Sequence, residues 1–374
     1  MIIGIPSESK KYGLDEHRVG LSPTGVFELI RSGAEVIVEK GAGEEARFTD
    51  DNYREAGARI VYAKEEVLRT ADLIAKVHCH DEIDCKMIKK DQIVCGFLLL
   101  FVAQEKTIRT FLNNNITAIG YENIETEPDV RPIRSRMAEI AGRLSVQIAG
   151  RLLESRKKGR RGILLGGVPG VAPAEVVILG GGSLGFAAAK TFAGIGANVY
   201  VLDVDLDRLQ KIEQTLHGRV VTLISNQRNI ERLTKFADVL IGAVLTPGTR
   251  TPTLVTRQMV SQMKRGSVII DFSIDQGGCC ETSRFCPGED LIYVEEGVIH
   301  FAVPNTPSLV ARTATHVLNQ SVVPYLKKIV KEGLVEAIRT SKPLARGVYT
   351  YQGKVVHPSL YNFNYPQADL KDLL

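Results

Sequence analysis

The sequence predicts an α/β protein built from two doubly wound parallel sheets, with the second unit inserted into a discontinuous first unit. Two observations lead to this prediction. Over about the first 130 residues, short β-branched apolar segments alternate with helical segments, which is the pattern of repeated βαβ units. Residues 174–203 then read as strand, glycine-rich turn, helix and second strand, the order that opens another unit of this type.

The elements of the first unit follow in chain order. MIIGIP is predicted to be a strand, SPTGVFELIRSG an N-capped helix ending at Gly33, and AEVIVEKG the next strand. Further strands are predicted at ARIV, DLIAKVH, QIVCGFLL and TAIGYENI, with helices between them.

The rest of the chain indicates a domain insertion. Residues 134–158 carry apolar residues at helical spacing and are predicted to form a long helix that leaves the first unit. A second long helical segment begins near TPSLVARTATHVLNQ, and a helix in this place would return to the first unit. We therefore predict a substrate domain of residues 1–132 plus 311–374 and a cofactor domain of residues 133–310. The C-terminal segment is predicted to be loops and a short hairpin. Later strands of the second unit are predicted at DVLIGAV, SVIIDFSID and VIHFAVPN.

Gly180, Gly182 and Gly185 form G-x-G-x-x-G between a strand and a helix, which is typical of a Rossmann-like dinucleotide-binding unit. The helix start would present free N–H groups to the phosphates. Asp203 ends the second strand and would accept a hydrogen bond from a ribose 2′-hydroxyl, which favours NAD over NADP. The alternative is a glycine-rich turn with no ligand. The predicted dinucleotide contacts here are Gly180, Gly182, Ser183, Leu184, Gly185 and Asp203.

Composition excludes several classes of protein. The chain has 374 residues, 44% hydrophobic and 24% charged, as in an ordinary globular protein. A net charge of +4 without a dense basic block does not indicate nucleic-acid binding. No apolar run approaches the ~20 residues of a membrane span, and the N-terminus does not resemble a signal peptide. The cysteines lack zinc-type spacing, so we expect no metal, reduced thiols and a cytoplasmic protein. They are Cys79, Cys85, Cys95, Cys279, Cys280 and Cys286.

Phrases along the whole chain resemble the NAD-dependent alanine dehydrogenases of the alanine dehydrogenase and pyridine nucleotide transhydrogenase superfamily. The resemblance implies a two-domain α/β subunit with NAD in the cleft, a small amino acid or imine as substrate, and a homo-oligomer, usually a hexamer. The phrases are GIPSESK, HRVGLSP, GYENI, MAEIAGRLSVQ, GGVPGVAPAEVVILGGGSLG, DVLIGAVLTPG, IDFSIDQGGCCETSR and VPNTPS.

The resemblance also implies residue roles. Arg18 matches the arginine that grips the substrate carboxylate, a task suited to a planar guanidinium. Asp275 and Asn305 match residues that line the reaction site near the nicotinamide. The alternative for Arg18 is a surface ion pair with Asp15 or Glu16, and for Asp275 a turn or capping residue. Met137 is assigned to the pocket beside the cofactor, and Arg208, Val244, Arg284 and Asn305 to the cofactor site.

Two family positions that handle the substrate and its protons are changed. The strand matching DLIAKVH normally ends in a second lysine, but here Lys76 is followed at that position by His78. The histidine that serves as general acid and base is replaced by Leu99, which cannot move a proton. A further change is Ala138 in place of a serine near the cofactor. Losing positioned acid–base catalysis typically costs ~10²–10⁴-fold in rate.

His78 is the residue we expect to substitute, because an imidazole titrates near neutrality. On a regular strand Lys76, His78 and His80 would share one face. The alternatives are a histidine that merely ends a strand, or a metal site with Cys79, which lacks a second ligand pair. Tyr121 is another donor candidate, although packing is the commoner role of such a tyrosine.

Three functions remain open from the sequence. The leading hypothesis is an NAD-dependent oxidoreductase acting on the Cα–N bond of a small amino acid or its imine, with a substrate shifted by the apolar Leu99. The second is an NAD-binding relative without catalysis, kept for sensing or assembly. The third, ranked last, is the extramembrane part of a proton-pumping transhydrogenase, because IDQGGCCETSR is dehydrogenase-like and no membrane segment is predicted.

Overall fold

The chain forms two compact units, each an α/β structure around one mostly parallel sheet. The first unit comprises Met1–Met137 and Ser308–Leu374, and the second comprises Ala138–Pro307. The predicted fold class, with one unit inserted into the other, is confirmed. A computed structural model describes residues 1–9, 16–128, 130–156, 159–244, 250–285 and 291–374.

Strands and helices alternate through most of both units. The strands are β1 (Ile2–Ile5), β2 (Glu35–Glu39), β3 (Arg59–Val61), β4 (Leu73–His78), β5 (Ile93–Phe97), β6 (Thr117–Gly120), β7 (Glu175–Leu179), β8 (Asn198–Asp203), β9 (Val220–Ile224), β10 (Val239–Gly242), β11 (Val268–Asp271), β12 (Tyr293–Glu295), β13 (Val298–Phe301), β14 (Val348–Tyr351) and β15 (Lys354–Val355). The helices are α1 (Pro23–Arg31), α2 (Asp50–Glu55), α3 (Lys64–Thr70), α4 (Glu82–Cys85), α5 (Glu105–Asn113), α6 (Pro132–Leu153), α7 (Ser183–Gly194), α8 (Leu206–Leu216), α9 (Gln227–Thr234), α10 (Arg257–Ser261), α11 (Ala311–Glu332), α12 (Leu334–Thr340), α13 (Lys342–Arg346) and α14 (Leu370–Leu373).

The sheet of the first unit has the order β15-β14-β6-β5-β4-β1-β2-β3. The six strands from β3 to β6 are parallel, and the order reverses between β1 and β4. In such sheets ligands bind outside the carboxyl ends of the strands at this reversal. The segments that follow β1 and β4 are therefore the place to look for a site in this unit.

The sheet of the second unit has the order β12-β13-β11-β10-β7-β8-β9. Its order reverses between β7 and β10, so the glycine-rich turn after β7 lies at the equivalent position. The interior strands β7 and β10 bury nearly every residue, as expected for a sheet covered by helices on both faces.

Local sequence explains how the first helix begins and ends. The Ser22 hydroxyl accepts the N–H of Gly25, and Pro23 occupies the first turn, where it loses no helical hydrogen bond. The helix ends at Arg31, and Gly33 follows with φ of +99°. A Cβ atom at Gly25 would lie 1.9 Å from the Asn319 side chain of α11. The glycine therefore allows α1 and α11 to approach closely, which is how the long second helix packs in the first unit.

The C-terminal segment departs in part from the prediction of loops and a hairpin. The hairpin exists as β14 and β15, but β14 also pairs antiparallel with β6 and extends the sheet. KPLAR forms the short helix α13, because Ser341 caps it and Pro343 lies in its first turn. Among the described residues, no helix combines the length and apolar character needed to cross a membrane.

Candidate active site

The glycine-rich turn after β7 has the geometry that a dinucleotide requires. Gly180 has φ of +102°, and a Cβ there would lie 2.5 Å from the Ala243 carbonyl oxygen. A Cβ at Gly185 would lie 1.8 Å from the Gly180 carbonyl oxygen, so α7 packs against the turn only without a side chain. A Cβ at Gly182, in contrast, would meet nothing within 4 Å. The space beside Gly182 is therefore open to a ligand rather than filled by the fold.

The start of α7 leaves its backbone donors available to a phosphate. Gly182 is the N-cap and supplies no side-chain hydrogen bond, in contrast to the capped starts of α1 and α8. Ser183, Leu184 and Gly185 form the first turn, where N–H groups have no partner within the helix. Together with the helix dipole, such a start favours an anion. These residues fit a dinucleotide pyrophosphate.

Asp203 lies at the end of β8 beside this turn. Its carboxylate accepts the N–H of Gly181 at 2.5 Å and the N–H of Asp205 at 2.9 Å, so its orientation is fixed. Nη1 of Arg208 lies 3.7 Å from Asp203, and its Nε lies 3.3 Å from Asp205. The charge of Arg208 is thus shared by two carboxylates, which leaves the edge of the turn acidic.

Other residues assigned to the second unit lie at the carboxyl edge of its sheet or after it. Asp275 is exposed in a 3-10 turn, Phe272–Gln276, and the N-cap of that turn is Asp271 rather than Asp275. The Val244 carbonyl accepts the Ser273 hydroxyl at 2.8 Å. Asn305 has φ of +54°, a conformation that asparagine adopts more readily than most residues. Arg284 lies over the Tyr293 ring and pairs with Glu295 at 3.1 Å.

In the first unit Arg18 is buried and bound by Glu16. Nε and Nη2 of Arg18 each lie 2.9 Å from a carboxylate oxygen of Glu16, and Nη1 lies 3.4 Å from the Met137 sulfur. The partner named as an alternative for Arg18 is therefore present, but the pair lies in the interior and not on the surface.

His78 joins the same carboxylate. Its Nε2 lies 2.7 Å from Oε2 of Glu16. Although burial opposes it, the Arg18 guanidinium and the His78 ring hold the pKa of Glu16 well below its usual range. Glu8, in the segment after β1, accepts the N–H of Val77 at 2.6 Å and of His78 at 3.2 Å. The candidate site therefore lies at the strand-order reversal of this sheet.

Glu8 is a partly buried carboxyl group at this edge. Burial raises the pKa of Glu8 to about 7, against the opposing influence of Lys76 and the two backbone N–H groups. A group that titrates near neutrality in a cleft is a recurrent feature of functional sites.

Lys76 belongs to a separate ion pair. Its Nζ lies 2.5 Å from Oδ2 of Asp84, and both side chains are buried. Although burial opposes it, the Glu8 and Asp84 carboxylates raise the pKa of Lys76. His80, beyond the end of β4, packs edge-on to Phe111, and burial with the nearby Lys76 lowers its pKa to about 3. Because β4 and β5 change register between Ala75 and His78, regular alternation does not extend through this segment.

Leu99 follows β5 in the left-handed conformation, with φ of +45°. Its N–H donates to Oε1 of Glu122 at 2.6 Å, and the Tyr349 hydroxyl donates to the same oxygen at 2.7 Å. A branched residue at positive φ is uncommon and persists where the surroundings determine the backbone. The backbone at this position is therefore held in place by Glu122, while the side chain is apolar.

Tyr121 directly follows β6 and is buried, with its ring edge-on to Phe97. Within the described part of the chain its hydroxyl has no hydrogen-bond partner. Burial raises the pKa of Tyr121 well above its usual value.

The thiols and carboxylates that the structure describes offer one group with metal-ligand proximity: Asp271, Cys279 and Cys280. Asp271 already accepts the backbone N–H groups of both cysteines and the Ser283 hydroxyl, so it stabilises the turn after β11. Cys85, Cys95, Cys279 and Cys280 are free thiols, and Cys286 lies outside the described residues.

Sequence reasoning did not identify three carboxylates as part of the site. Glu16 was considered only as a surface partner of Arg18, and Glu8 and Glu122 were not considered. Glu8 lies in the segment directly after a predicted strand, and that position was the available signal. No sequence motif near Glu122 indicated a role in the site. The pairing of β5 with β6 brings Glu122 to Leu99.

Comparisons with known proteins agree with this architecture. The family described as alanine dehydrogenase/PNT matches with its N-terminal domain at residues 4–141 and its C-terminal domain at residues 145–358. The alanine dehydrogenase of Staphylococcus saprophyticus is 42% identical over 376 residues and covers 100% of both chains. Alanine dehydrogenase 2 of Staphylococcus aureus strain N315 is 42% identical over 358 residues, 96% of this chain and 95% of the relative.

Solved structures lead to the same assignment. An L-alanine dehydrogenase superposes with a TM-score of 0.91 at 41% identity, covering 97% of this chain and 98% of the other. A transhydrogenase from Sinorhizobium meliloti superposes with a TM-score of 0.81 at 25% identity, covering 96% and 100%. Fold and matches together define an oxidoreductase built from two doubly wound α/β units. More particularly, the chain belongs to the alanine dehydrogenase and pyridine nucleotide transhydrogenase family.

Proposed function

We propose that this protein is an NAD-dependent amino-acid dehydrogenase that oxidises the Cα–N bond of a small amino acid or reduces the matching imine. The observation that carries the proposal is the buried arrangement of Arg18, Glu16 and His78 at the carboxyl edge of the first sheet. It places a guanidinium suited to a carboxylate next to an imidazole suited to proton transfer. Relatives that are 42% identical over the whole length are named alanine dehydrogenases.

Each unit would supply one part of the reaction. In the second unit, the open start of α7 and Asp203 would hold the dinucleotide, together with Arg208, Val244 and Arg284. When bound, NAD supplies the electron acceptor for oxidation at Cα. In the first unit, Arg18 would orient the substrate carboxylate, and His78 would accept or return the proton of the water that hydrates the imine. Asp275 and Asn305 are proposed to contact the reacting groups, and Met137, Tyr121 and Lys76 to shape the pocket.

The apolar side chain at Leu99 favours a shifted substrate. A leucine in this position cannot hydrogen-bond the amino or oxo group, and it makes the wall suited to a larger side chain or a preformed imine. The same observation supports the second candidate function, an NAD-binding relative with impaired catalysis. NADH formation and consumption, followed across a panel of amino acids and of 2-oxo acids with ammonia, separates the two. Cofactor binding without turnover on the panel would favour the second.

By analogy with the family we further propose that the protein is a homo-oligomer, a hexamer in the most direct analogy, and that it acts in the cytoplasm. We also propose that the two compact units correspond to the substrate domain and the NAD-binding domain.

Replacement of Gly182 by alanine tests the dinucleotide site. Because a Cβ at Gly182 meets nothing in the fold and its φ is −66°, we expect Gly182→Ala to unfold at the same denaturant concentration as the wild type. The added methyl group would meet the pyrophosphate, so we expect NADH affinity to fall roughly tenfold or more. Fluorescence titration with NADH measures this.

The matched control for this variant is Gly194→Ala, at the other end of α7. A Cβ at Gly194 also meets nothing within 4 Å, so this variant should keep the wild-type affinity. Unchanged NADH binding by Gly182→Ala would show that the turn does not hold the pyrophosphate.

The acidic edge at Asp203 predicts cofactor preference. An ionised carboxylate close to the ribose would repel a 2′-phosphate, and Val204 beside it offers no positive charge. We therefore expect NADH to bind roughly tenfold or more tightly than NADPH. Titration of both cofactors in parallel measures the ratio, and equal or tighter binding of NADPH would contradict the role of Asp203.

A further inference from the structure

One carboxylate, Glu16, bridges the arginine and the imidazole of the candidate site. Oε1 of Glu16 lies 2.9 Å from Nε of Arg18, and Oε2 lies 2.9 Å from Nη2 of Arg18. Oε2 also lies 2.7 Å from Nε2 of His78. The carboxylate therefore contacts the Nε2 edge of the His78 ring, while Arg18 fixes the position of the carboxylate.

The three side chains of this bridge are buried. The side chains of Glu16, Arg18 and His78 are 1%, 2% and 11% exposed. The Glu16 carboxylate also accepts the Arg18 backbone N–H at 2.9 Å, so the short loop from Glu16 to Arg18 closes on itself. Because few water molecules reach the bridge, a charge on Glu16 acts on the imidazole with little screening.

Resting on the proposed function, we propose that Glu16 is a positioning residue that orients the His78 imidazole and stabilises its protonated form. When water adds to the carbon of the imine, a C–O bond forms and the C=N electron pair moves to nitrogen. The proton that the water loses passes to His78, and Glu16 stabilises the imidazolium that results. A carboxylate that orients a histidine in this way is a recurrent device in acid–base catalysis.

Among the described residues of the first unit, charged or titratable groups face or adjoin the His78 ring from three segments. Glu16 and Arg18 approach from the segment before α1, Glu8 from the segment after β1, and Lys76 from β4 itself. Converting Glu16 to glutamine removes the negative charge that lies 2.7 Å from the ring and keeps the cation of Arg18. The loss of that charge disfavours a protonated His78.

The experiment is Glu16→Gln in the full-length protein, observed by NMR of labelled histidine rings across pH. We expect the titration midpoint of the His78 ring to fall by about one pH unit or more. The matched control is Glu45→Gln, which removes an exposed carboxylate 3.3 Å from the half-buried His17. Because this carboxylate pairs with His17 and not with His78, the control should leave the His78 midpoint unchanged. An unchanged His78 midpoint in Glu16→Gln would overturn the proposal.

Activity adds a readout that a purely structural role would not produce. Oxidation needs neutral His78 and reduction needs protonated His78. Glu16→Gln should therefore extend oxidation to lower pH. As the pH rises, reduction should be lost at a lower pH than in the wild type. A merely less stable protein would lose both activities.

Two further comparisons separate the possible failures. Glu16→Asp keeps the negative charge, so its His78 titration midpoint should lie between those of the wild type and of Glu16→Gln. A midpoint as low as that of Glu16→Gln would count against the proposal. If Glu16→Gln does not fold, Glu16→Asp provides the test, and an unshifted midpoint there would overturn the proposal. Absence of turnover on every amino acid and imine would contradict the proposed function alone, because the ring titration needs no substrate.

Discussion

Replacing Leu99 by histidine together with His78 by lysine is expected to raise turnover of L-alanine ~10²-fold or more above a weak wild-type rate. The pair would restore a proton-transfer group after β5 and a cation at the end of β4. The backbone favours the first change, because residue 99 has φ of +45°, where histidine is enriched and leucine is rare. The second change introduces a lysine cation that can pair with Glu16. Alanine oxidation at alkaline pH and saturating NAD measures the gain.

The matched control is Leu99→Asn with His78→Lys. Asparagine suits the left-handed backbone at residue 99 as well as histidine does, but it does not transfer protons at this pH. We expect no comparable gain from it, which separates proton transfer from relief of backbone strain. Robust turnover of alanine by the wild type would show that the proton-transfer role has been assigned to the wrong residues.

Loss of the Arg18 guanidinium is expected to abolish turnover or substrate binding while NAD binding persists. A charge-assisted pair with a carboxylate contributes about 1.5–3 kcal/mol, so substrate affinity should fall roughly 10- to 100-fold from this contact alone. Arg18→Ala would also remove the guanidinium that binds both oxygens of the buried Glu16 carboxylate, which costs about 3–5 kcal/mol of stability. Substrate kinetics, NADH titration and denaturant unfolding together measure these effects.

The stability effect needs its own control. The double variant Arg18→Ala with Glu16→Gln removes the buried negative charge together with its guanidinium partner. It should recover much of the folding free energy, yet it should not recover substrate binding. Arg54→Ala, which removes an exposed pair with Asp51, should leave both quantities unchanged. Wild-type kinetics in Arg18→Ala would show that Arg18 has only a structural role.

The glycine-rich turn after β7 was predictable because its determinants are local. Gly180, Gly182 and Gly185 stand in one turn between a strand and a helix, and each requirement concerns backbone within a few residues or the next strand. Asp203 could be assigned for the same reason, since it ends the strand that directly follows α7. Strand order in both sheets also agreed with the predicted class, because alternating strands and helices admit few parallel arrangements.

The contacts of the candidate site in the first unit were only partly predictable. Sequence marked His78 and Leu99 as departures from the family, and it placed each at the end of a predicted strand. It did not show that Glu16 would lie against His78, because the two residues are far apart in the chain and the pairing of β1 with β4 brings their segments together. Likewise Lys76 was predicted to share a face with His78, but the structure pairs it with Asp84 of α4.

The sequence by itself therefore determined the two doubly wound units, the glycine-rich turn and the family, since these follow from hydrophobic periodicity and from motifs contiguous along the chain. Tertiary structure alone decided which partners the buried polar and charged groups meet. Arg18 with Glu16 and His78, Lys76 with Asp84, and Leu99 with Glu122 are partners chosen by strand register and burial. A buried ion requires a counter-ion within a few ångströms, and only the folded backbone brings the two within that distance.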